Sequence, residues 1–389
     1  MVYYNDFKEL KISSLGFGTL RLPLKSKETG EIDQTATDEM IDIALEGGVN
    51  YFDLAYTYHN GKSEKVVGKS LSRYPRQSYF LADKFPGYEI MSNYDCDGIF
   101  KDQLNKCQTS YFDFYLFHNV NENSIKTYLD KRWGIHDYFK AQKEEGRIGH
   151  IGFSCHGDIE CIEKFLDSYG DIAEFCQIQL NYLDWTLQDG KSKYEYLTKI
   201  GMPIWVMEPV RGGKLSSLDE ETEKALHDIR PDASIPSWAF RFLQGLPNVK
   251  VVLSGMSTLS QVKDNISTFE KREALSDEET KILFDAADRI KNAVPCTGCG
   301  YCLKGCPMQI DIPKMISLYN ESRYYRSANI SMRVEAIEAG HTPTDCIECR
   351  QCAKVCPQKI DAASLMPKIA QAFSEIPTWT QLHSKKEKE

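Results

Sequence analysis

Eight cysteines constrain this chain more than any other feature of its sequence. They fall in two runs, Cys296-Thr-Gly-Cys299-Gly-Tyr-Cys302-Leu-Lys-Gly-Cys306-Pro307 and Cys346-Ile-Glu-Cys349-Arg-Gln-Cys352-Ala-Lys-Val-Cys356-Pro357, and every cysteine of the first recurs 50 positions later. Three thiolates two residues apart can wrap three corners of one iron–sulfur cubane, while the fourth, held away by the turn before proline, ligates the other cluster. Two 4Fe–4S clusters are therefore expected, ligated crosswise. Cluster I takes Cys296, Cys299, Cys302 and Cys356; cluster II takes Cys346, Cys349, Cys352 and Cys306. Structural zinc is the alternative, but zinc sites normally use pairs of ligands separated by longer spacers, and a third cysteine plus Cys-Pro is superfluous there. A soft, all-thiolate set suits iron–sulfur.

The stretch between the runs is too long and too helical for a compact β-ribbon module. Ile312, Ile316 and Tyr319, then Ile330, Val334 and Ile337, follow i, i+4, i+7 spacing, with Gly340 expected to stop the second helix. After the second run, Ser364 is expected to cap a helix with Pro367 in its first turn and Leu365, Ile369 and Phe373 on one face. An all-α, dicluster ferredoxin-like domain is thus expected over residues 291–380, followed by a disordered tail over 381–389 that ends in Ser384-Lys-Lys-Glu-Lys-Glu389. Tyr319, Tyr324 and Tyr325 read as packing residues.

At 389 residues the chain exceeds the size at which single cores usually stop growing, so a second, larger domain is expected over residues 1–290. The formal charge of −9 disfavours a polyanion-binding surface and with it nucleic acid as a partner. MVYYNDFKEL has no basic segment leading into an apolar one, and no stretch approaches the roughly 20 apolar residues that span a bilayer. A cytoplasmic protein without a membrane partner is expected. In that setting thirteen cysteines argue for metal binding over disulfides; Cys96, Cys107, Cys155, Cys161 and Cys176, outside the runs, read as small buried hydrophobes.

The first 290 residues alternate short β-rich runs with amphipathic stretches. Ser14–Thr19, Val49–Leu54, Ser78–Lys84, Tyr111–His118, Ile148–Ser154, Phe175–Leu180, Pro203–Glu208 and Lys250–Ser254 read as strands, and Thr37–Glu46, Ser63–Leu71, Leu129–Glu145 and Ile235–Leu246 as helices long enough for right-handed crossovers. Eight such units predict an α/β TIM (β/α)8 barrel. A doubly wound sheet is the runner-up, weakened because no Gly-x-Gly-x-x-Gly follows an early strand. Chemistry in such a barrel sits at the C-terminal ends of strands, and the polar residues there are Asp53, Lys84, His118 and Ser154, with Tyr58 on the loop after the second strand. An ammonium near a phenol lowers its pKa. Lys84, oriented by Asp53, is expected to do this for Tyr58, which would protonate a carbonyl as hydride arrives at carbon, while His118 hydrogen-bonds the substrate oxygen.

With Phe-Asp-x-Ala-x-x-Tyr…Ser-Glu around Asp53, Phe-Tyr-Leu-Phe-His ending at His118, Leu15-Gly-Phe-Gly-Thr19, Gly-Arg-Ile-Gly-His-Ile-Gly-Phe-Ser154 and Gln177-Ile-Gln-Leu-Asn181-Tyr182, residues 8 to 290 resemble the aldo/keto reductases, whose catalytic tetrad matches Asp53, Tyr58, Lys84 and His118. The whole chain is similar to the branch with a C-terminal ferredoxin-type domain, through Gly-Phe-Ser-x-His-Gly at Gly152–Gly157 and Met-Glu-Pro-x-x-Gly-Gly-Lys-Leu at Met207–Leu215. The resemblance implies an NAD(P)-dependent oxidoreductase acting on a small carbonyl or alcohol. It implies cofactor contacts from Gly18 and Thr19, from Ser154 and Gln177 on the nicotinamide carboxamide, and from Asp264 and Asn265 at the adenine. The Glu208–Leu215 loop would cover the pyrophosphate, with Arg211, Gly213 and Lys214 in it and the two cations on phosphates.

The sequence also departs from the family pattern. Cys155 stands where many relatives have Asn, Met207 where an aromatic ring often stacks on nicotinamide, and Gly255 and Gln261 where the usual Lys and Arg hold a 2′-phosphate. NAD and NADP both stay open. Tyr56, Phe85 and Trp185 are candidates for the substrate pocket. Two alternatives accompany the reductase reading: an electron-transfer protein coupled to an external ferredoxin, and a nucleotide-binding redox sensor. The former faces a difficulty, since nicotinamide gives two electrons as hydride, each cluster accepts one, and no flavin motif is evident.

Overall fold

Strands buried on both faces need near-continuous apolar sequence, and the eight runs read from the sequence all form such strands in the computed structural model. It describes every residue except 27, 90, 292–293, 297, 325–327, 357 and 384–389, and the side chains of all of these but 290, 291, 324 and 383. Leu15–Gly18, Tyr51–Asp53, Phe80–Phe85, Phe112–Val120, Ile148–Cys155, Phe175–Gln179, Ile204–Met207 and Val249–Gly255 lie parallel in chain order, and the eighth pairs with the first to close the barrel. Two compact units are resolved, residues 1–185 with 189–282, and residues 186–188 with 283–389.

The barrel interior is packed with aromatic rings. Tyr51, Phe114, Phe175 and Trp205 come from four strands, with Val251 and Leu253 from the eighth. Phe7 joins them, its ring centroid 5.0 Å from that of Trp205 and 5.9 Å from that of Phe114. It belongs to an antiparallel hairpin, Tyr4–Phe7 with Leu10–Ser13, that precedes the first barrel strand and was not anticipated from the sequence. These rings fill the half of the barrel where the strands begin, so the polar residues at the strand ends face the open half.

The crossover helices follow the expected pattern with one correction. Gln34–Glu46 is capped by Asp33, whose carboxylate accepts from the Ala36 amide at 3.1 Å. The single helix expected over Leu129–Glu145 is instead broken into Ile125–Leu129, a 3-10 turn at Lys131–Trp133, and Ile135–Glu144. Gly134 is the cause, with φ at 58°, a left-handed conformation that ends one helix and begins another.

No strand occurs among the described residues of 283–383. Helices Ile312–Tyr324, Ala328–Glu335 and Ala362–Ser374 bury Ile312, Met315, Ile316, Leu318, Ile330, Met366, Ile369 and Phe373 in one core. The caps differ from expectation. Asp361, not Ser364, caps the third helix, accepting from the Ser364 amide at 3.3 Å and the Ser364 hydroxyl at 2.8 Å. Pro367 therefore sits past the first turn. The second helix ends at Glu335, five residues before Gly340, whose φ of 88° serves a later turn. Trp379–His383 is a short helix covering the start of the expected tail; residues 384–389, Tyr325 and the Tyr324 side chain lie outside the described residues.

Candidate active site

The barrel register sets the site. Gly18 lies beside Asp53, Asp53 beside Ala82, Lys84 beside Leu116, and Gln177 beside Ser154 on neighbouring strands. Alternation then points Asp53 and Lys84 inward. The Lys84 ammonium is fully buried and donates to Asp53 Oδ2 at 2.6 Å and to the Leu54 carbonyl at 2.5 Å. Lys84 Nζ stands 5.0 Å from the Tyr58 ring centroid. The His118 ring meets Tyr58 nearly edge-on, centroids 5.9 Å apart, and meets Tyr88 likewise at 4.8 Å. The four expected catalytic residues thus converge. Tyr88, which the sequence reading missed, braces His118 and shares a 2.6 Å hydrogen bond with the Thr57 hydroxyl.

One electrostatic expectation is corrected. Burial pushes the Tyr58 phenol well above its ordinary pKa, and the Asp53 carboxylate adds to the rise. The Lys84 ammonium, 5.0 Å from the ring centroid, does not bring the phenol below its ordinary value. Asp53 is itself raised by burial, with Lys84 opposing. The phenol is consequently protonated at neutral pH. Beside Lys84, Asp83 is buried and pushed well above the carboxylate range by desolvation, and by the nearby charge of Glu64. Glu64 is also raised by burial, with Lys106 at 3.1 Å opposing. A like charge nearby disfavours ionisation of a buried carboxyl group.

A groove of about 1170 Å³, counting space open to solvent, runs from Asp53 and Tyr58 past Gly18 and Thr19, Gln177, Met207, Glu208 and Gly213 to Asp264 and Asn265. A Cβ on Gly18 would stand 3.3 Å from the Ser254 carbonyl oxygen, a tight approach that favours glycine here. Gln177 Oε1 is buried without a hydrogen-bond partner, an acceptor aimed into the groove that suits a ligand amide. Thr19 and Ser154 are inside the fabric: the Thr19 hydroxyl donates to the Asp53 carbonyl at 2.9 Å, and the Ser154 hydroxyl accepts from the Asn119 amide at 2.7 Å. Asp264 accepts from the Ser234 hydroxyl at 2.7 Å, and Asn265 donates to the Ser254 hydroxyl at 2.9 Å.

The loop after the seventh strand differs from expectation. Arg211 is buried and its Nε donates to Asp184 Oδ1 at 3.0 Å and Oδ2 at 3.1 Å, so it faces the protein interior, not a phosphate. A buried guanidinium requires such a counter-charge. Lys214 is exposed and outside the groove lining. The cation that does line the groove is Arg21, 3.6 Å from Glu208. Only its place two residues after Thr19 could have marked it. The candidate substrate-pocket aromatics do not line this groove: Phe85 packs on Phe139 at 5.2 Å, Trp185 on Phe242 at 5.4 Å, and Tyr56 lies under Lys106 at 4.3 Å.

In the second unit the eight thiols surround two cavities. One is lined by Cys296, Cys299, Cys302 and Cys356, the other by Cys306, Cys346 and Cys349, with Cys352 reaching both. Among the described residues no three His, Cys, Asp or Glu side chains gather tightly enough to chelate a single metal ion. The five remaining cysteines are all buried, as expected. No helix among the described residues is long and apolar enough to cross a membrane.

Comparison with known proteins agrees with both units. The sequence model of the Aldo/keto reductase family matches residues 14–288, and that of the 4Fe-4S dicluster domain matches residues 295–360. The chain is 24% identical to an uncharacterized oxidoreductase of Bacillus subtilis over 71% of its own length and 92% of the other's, and 25% identical to an L-galactose dehydrogenase of Arabidopsis thaliana over 70% and 89%. Its fold resembles an aldo-keto reductase of Bacillus halodurans solved in a holo form, with a TM-score of 0.58, 24% identity, and coverage of 74% of this chain and 96% of that one.

Proposed function

The chain belongs to the aldo/keto reductase family, and from that premise we propose that it reduces an aldehyde or ketone, or oxidises the matching alcohol, with NAD(H) or NADP(H) held in the groove. Bound there, the nicotinamide supplies or accepts a hydride. The protein supplies the proton. Tyr58, kept protonated by burial, donates to the substrate oxygen as charge develops on it, and the Lys84 cation beneath the ring stabilises the phenolate left behind. Asp53 fixes Lys84 in place by accepting from its ammonium at 2.6 Å. His118 presents its ring at the same place, edge-on to Tyr58, as a donor to the oxygen. Gln177 receives the carboxamide through its unpartnered Oε1. The observation that carries this reading is the buried Lys84–Asp53 pair under Tyr58 at the end of the groove.

The second unit is read as holding both clusters by the crosswise ligand sets, which the partition of thiols between the two cavities supports. Tyr58→Phe tests the barrel chemistry. Anaerobically purified protein is expected to retain nucleotide binding, by fluorescence titration, and to lose ~10²–10⁴-fold in kcat on a panel of carbonyls, the range for one general acid. An unchanged kcat would remove Tyr58 from that role.

A further inference from the structure

Large apolar side chains are exposed in both units, but in the second they crowd the cluster cysteines. Tyr301 is 63% exposed, Leu303 41% and Val355 48%, and each is next in sequence to Cys302 or Cys356, two of the thiols lining the first cavity; Ile347, 61% exposed, adjoins Cys346 at the second. Cys302, Cys346 and Cys356 are themselves only partly buried, and apolar groups gathered in solvent around them mark a contact surface. The two runs are also neighbours in space: a Cβ on Gly305 would come within 3.9 Å of the Gln351 side chain.

Charge completes the pattern. Lys304, Arg350, Lys354 and Lys359 lie in or just after the runs and are exposed, with Glu348 the one acid inside the runs and Asp311, Asp345 and Asp361 near their ends, in a chain whose net charge is −9. Arg350 reaches an exposed Asp361 at 3.8 Å, and no ion pair of the three lysines is found among the described residues. Cys299 is exposed as well, so the first cavity has a thinly covered edge within this basic, apolar rim.

We infer that the rim formed by Tyr301, Leu303, Val355, Lys304, Lys354 and Lys359 is the docking surface for an acidic one-electron carrier protein. The inference rests on reading the second unit as a cluster domain. At this surface a carrier gives up one electron and an oxidised cluster takes one, or the reverse, with no bond made or broken. Apolar contact brings the two redox centres close, and opposite charge steers the encounter and makes its rate dependent on salt. A flavin or nicotinamide dinucleotide has no need of such a rim. A macromolecular partner with a negatively charged, partly apolar face matches it.

The test uses the holoprotein with both clusters, iron and sulfide assayed, and an acidic 2Fe–2S ferredoxin as the probe. Stopped-flow absorbance follows electron transfer in both directions, reduced probe onto oxidised clusters and oxidised probe onto dithionite-reduced clusters, which removes the dependence on relative potential. The rate is expected to fall steeply as salt rises, and at low salt to drop at least ~10-fold in a variant carrying Lys304→Glu, Lys354→Glu and Lys359→Glu. Reduction by dithionite and nicotinamide-linked turnover in the barrel should be unchanged in that variant, which separates this surface from the carbonyl reaction. A carbodiimide should cross-link these lysines to probe carboxylates, mapped by mass spectrometry. Transfer that is absent in both directions, insensitive to salt, or faster with basic cytochrome c would overturn the inference. If the variant loses its clusters, the salt dependence and the cross-link map of the native protein decide.

Discussion

The barrel mouth and the cluster unit handle charge in opposite ways. At the barrel mouth the ionic groups are sealed and matched: Lys84 with Asp53, Arg211 with Asp184, Glu64 with Asp83 and Lys106, all at or below a few per cent exposure except Lys106. Around the cysteine runs the cations face water and the apolar side chains do too. A group that must present a proton at one atom benefits from a dry, fixed surrounding, where each charge acts at full strength on its neighbour. A surface that must meet a second molecule benefits from charges left uncommitted. The same chain therefore contains one site organised for precision and another organised for encounter.

The strongest way to break that contrast is at its most sealed pair. Lys84→Met leaves Asp53 buried without its counter-charge, and the expected loss is ~3–5 kcal/mol of stability, with activity abolished. Denaturant titration of the barrel measures it. Adding Asp53→Leu should restore much of the stability and none of the activity. If the single variant is instead as stable as the native chain, the pair is not sealed and the contrast fails.

A smaller effect is expected from the cysteines. Cys356→Ser should remove the cluster that Cys296→Ser removes, leaving about half the iron and the second cluster's spectrum intact, whereas Cys306→Ser should spare the first. Iron assay with electron paramagnetic resonance of the reduced protein distinguishes the two. Loss of the opposite cluster from each variant would replace crosswise ligation by a run-by-run scheme.

The smallest effect concerns the Glu64–Asp83 carboxyl pair. Both groups have folded pKa values above their unfolded ones, so the stability they contribute is fully present below about pH 4, the ordinary carboxylate range, and is lost as pH rises through the folded values. Glu64→Gln keeps a polar side chain of the same size beside Asp83 while removing one of the two acids. The difference in Tm between this variant and the native protein should grow in the variant's favour as pH is raised from about 4 towards 8. A constant difference across that range would mean that the pair holds no extra proton.

The barrel, and the convergence of Asp53, Tyr58, Lys84 and His118 at its mouth, were legible in the sequence for a physical reason. Parallel strands covered on both faces produce apolar runs of β-branched and aromatic residues, and their C-terminal ends are the places where polar residues must serve the mouth. The clusters were legible because ligand spacing is local. What was not legible depended on partners distant in sequence or on a single backbone angle. Arg211 reads the same whether it meets a phosphate or Asp184, which lies 27 residues away. Phe7 in a short hairpin gives no sign that it will enter the barrel core, and Gly134 within a helical pattern does not announce its positive φ. The sign of the Tyr58 shift was misread because proximity to Lys84 is visible in a motif, while the depth of burial and the closeness of the Asp53 contact are not.

The loop after the seventh strand carries one more consequence. Glu208, Arg211, Gly212 and Gly213 all adopt positive φ, at 55°, 49°, 64° and 89°, and left-handed backbone at non-glycine positions is tolerated only where the surroundings hold it there, at ~1–3 kcal/mol each. With Arg211 anchored on Asp184, this segment has little freedom to accept new residues or change length. Directed evolution towards other substrates should therefore leave it untouched and draw its diversity from the mouth loops whose backbones are relaxed.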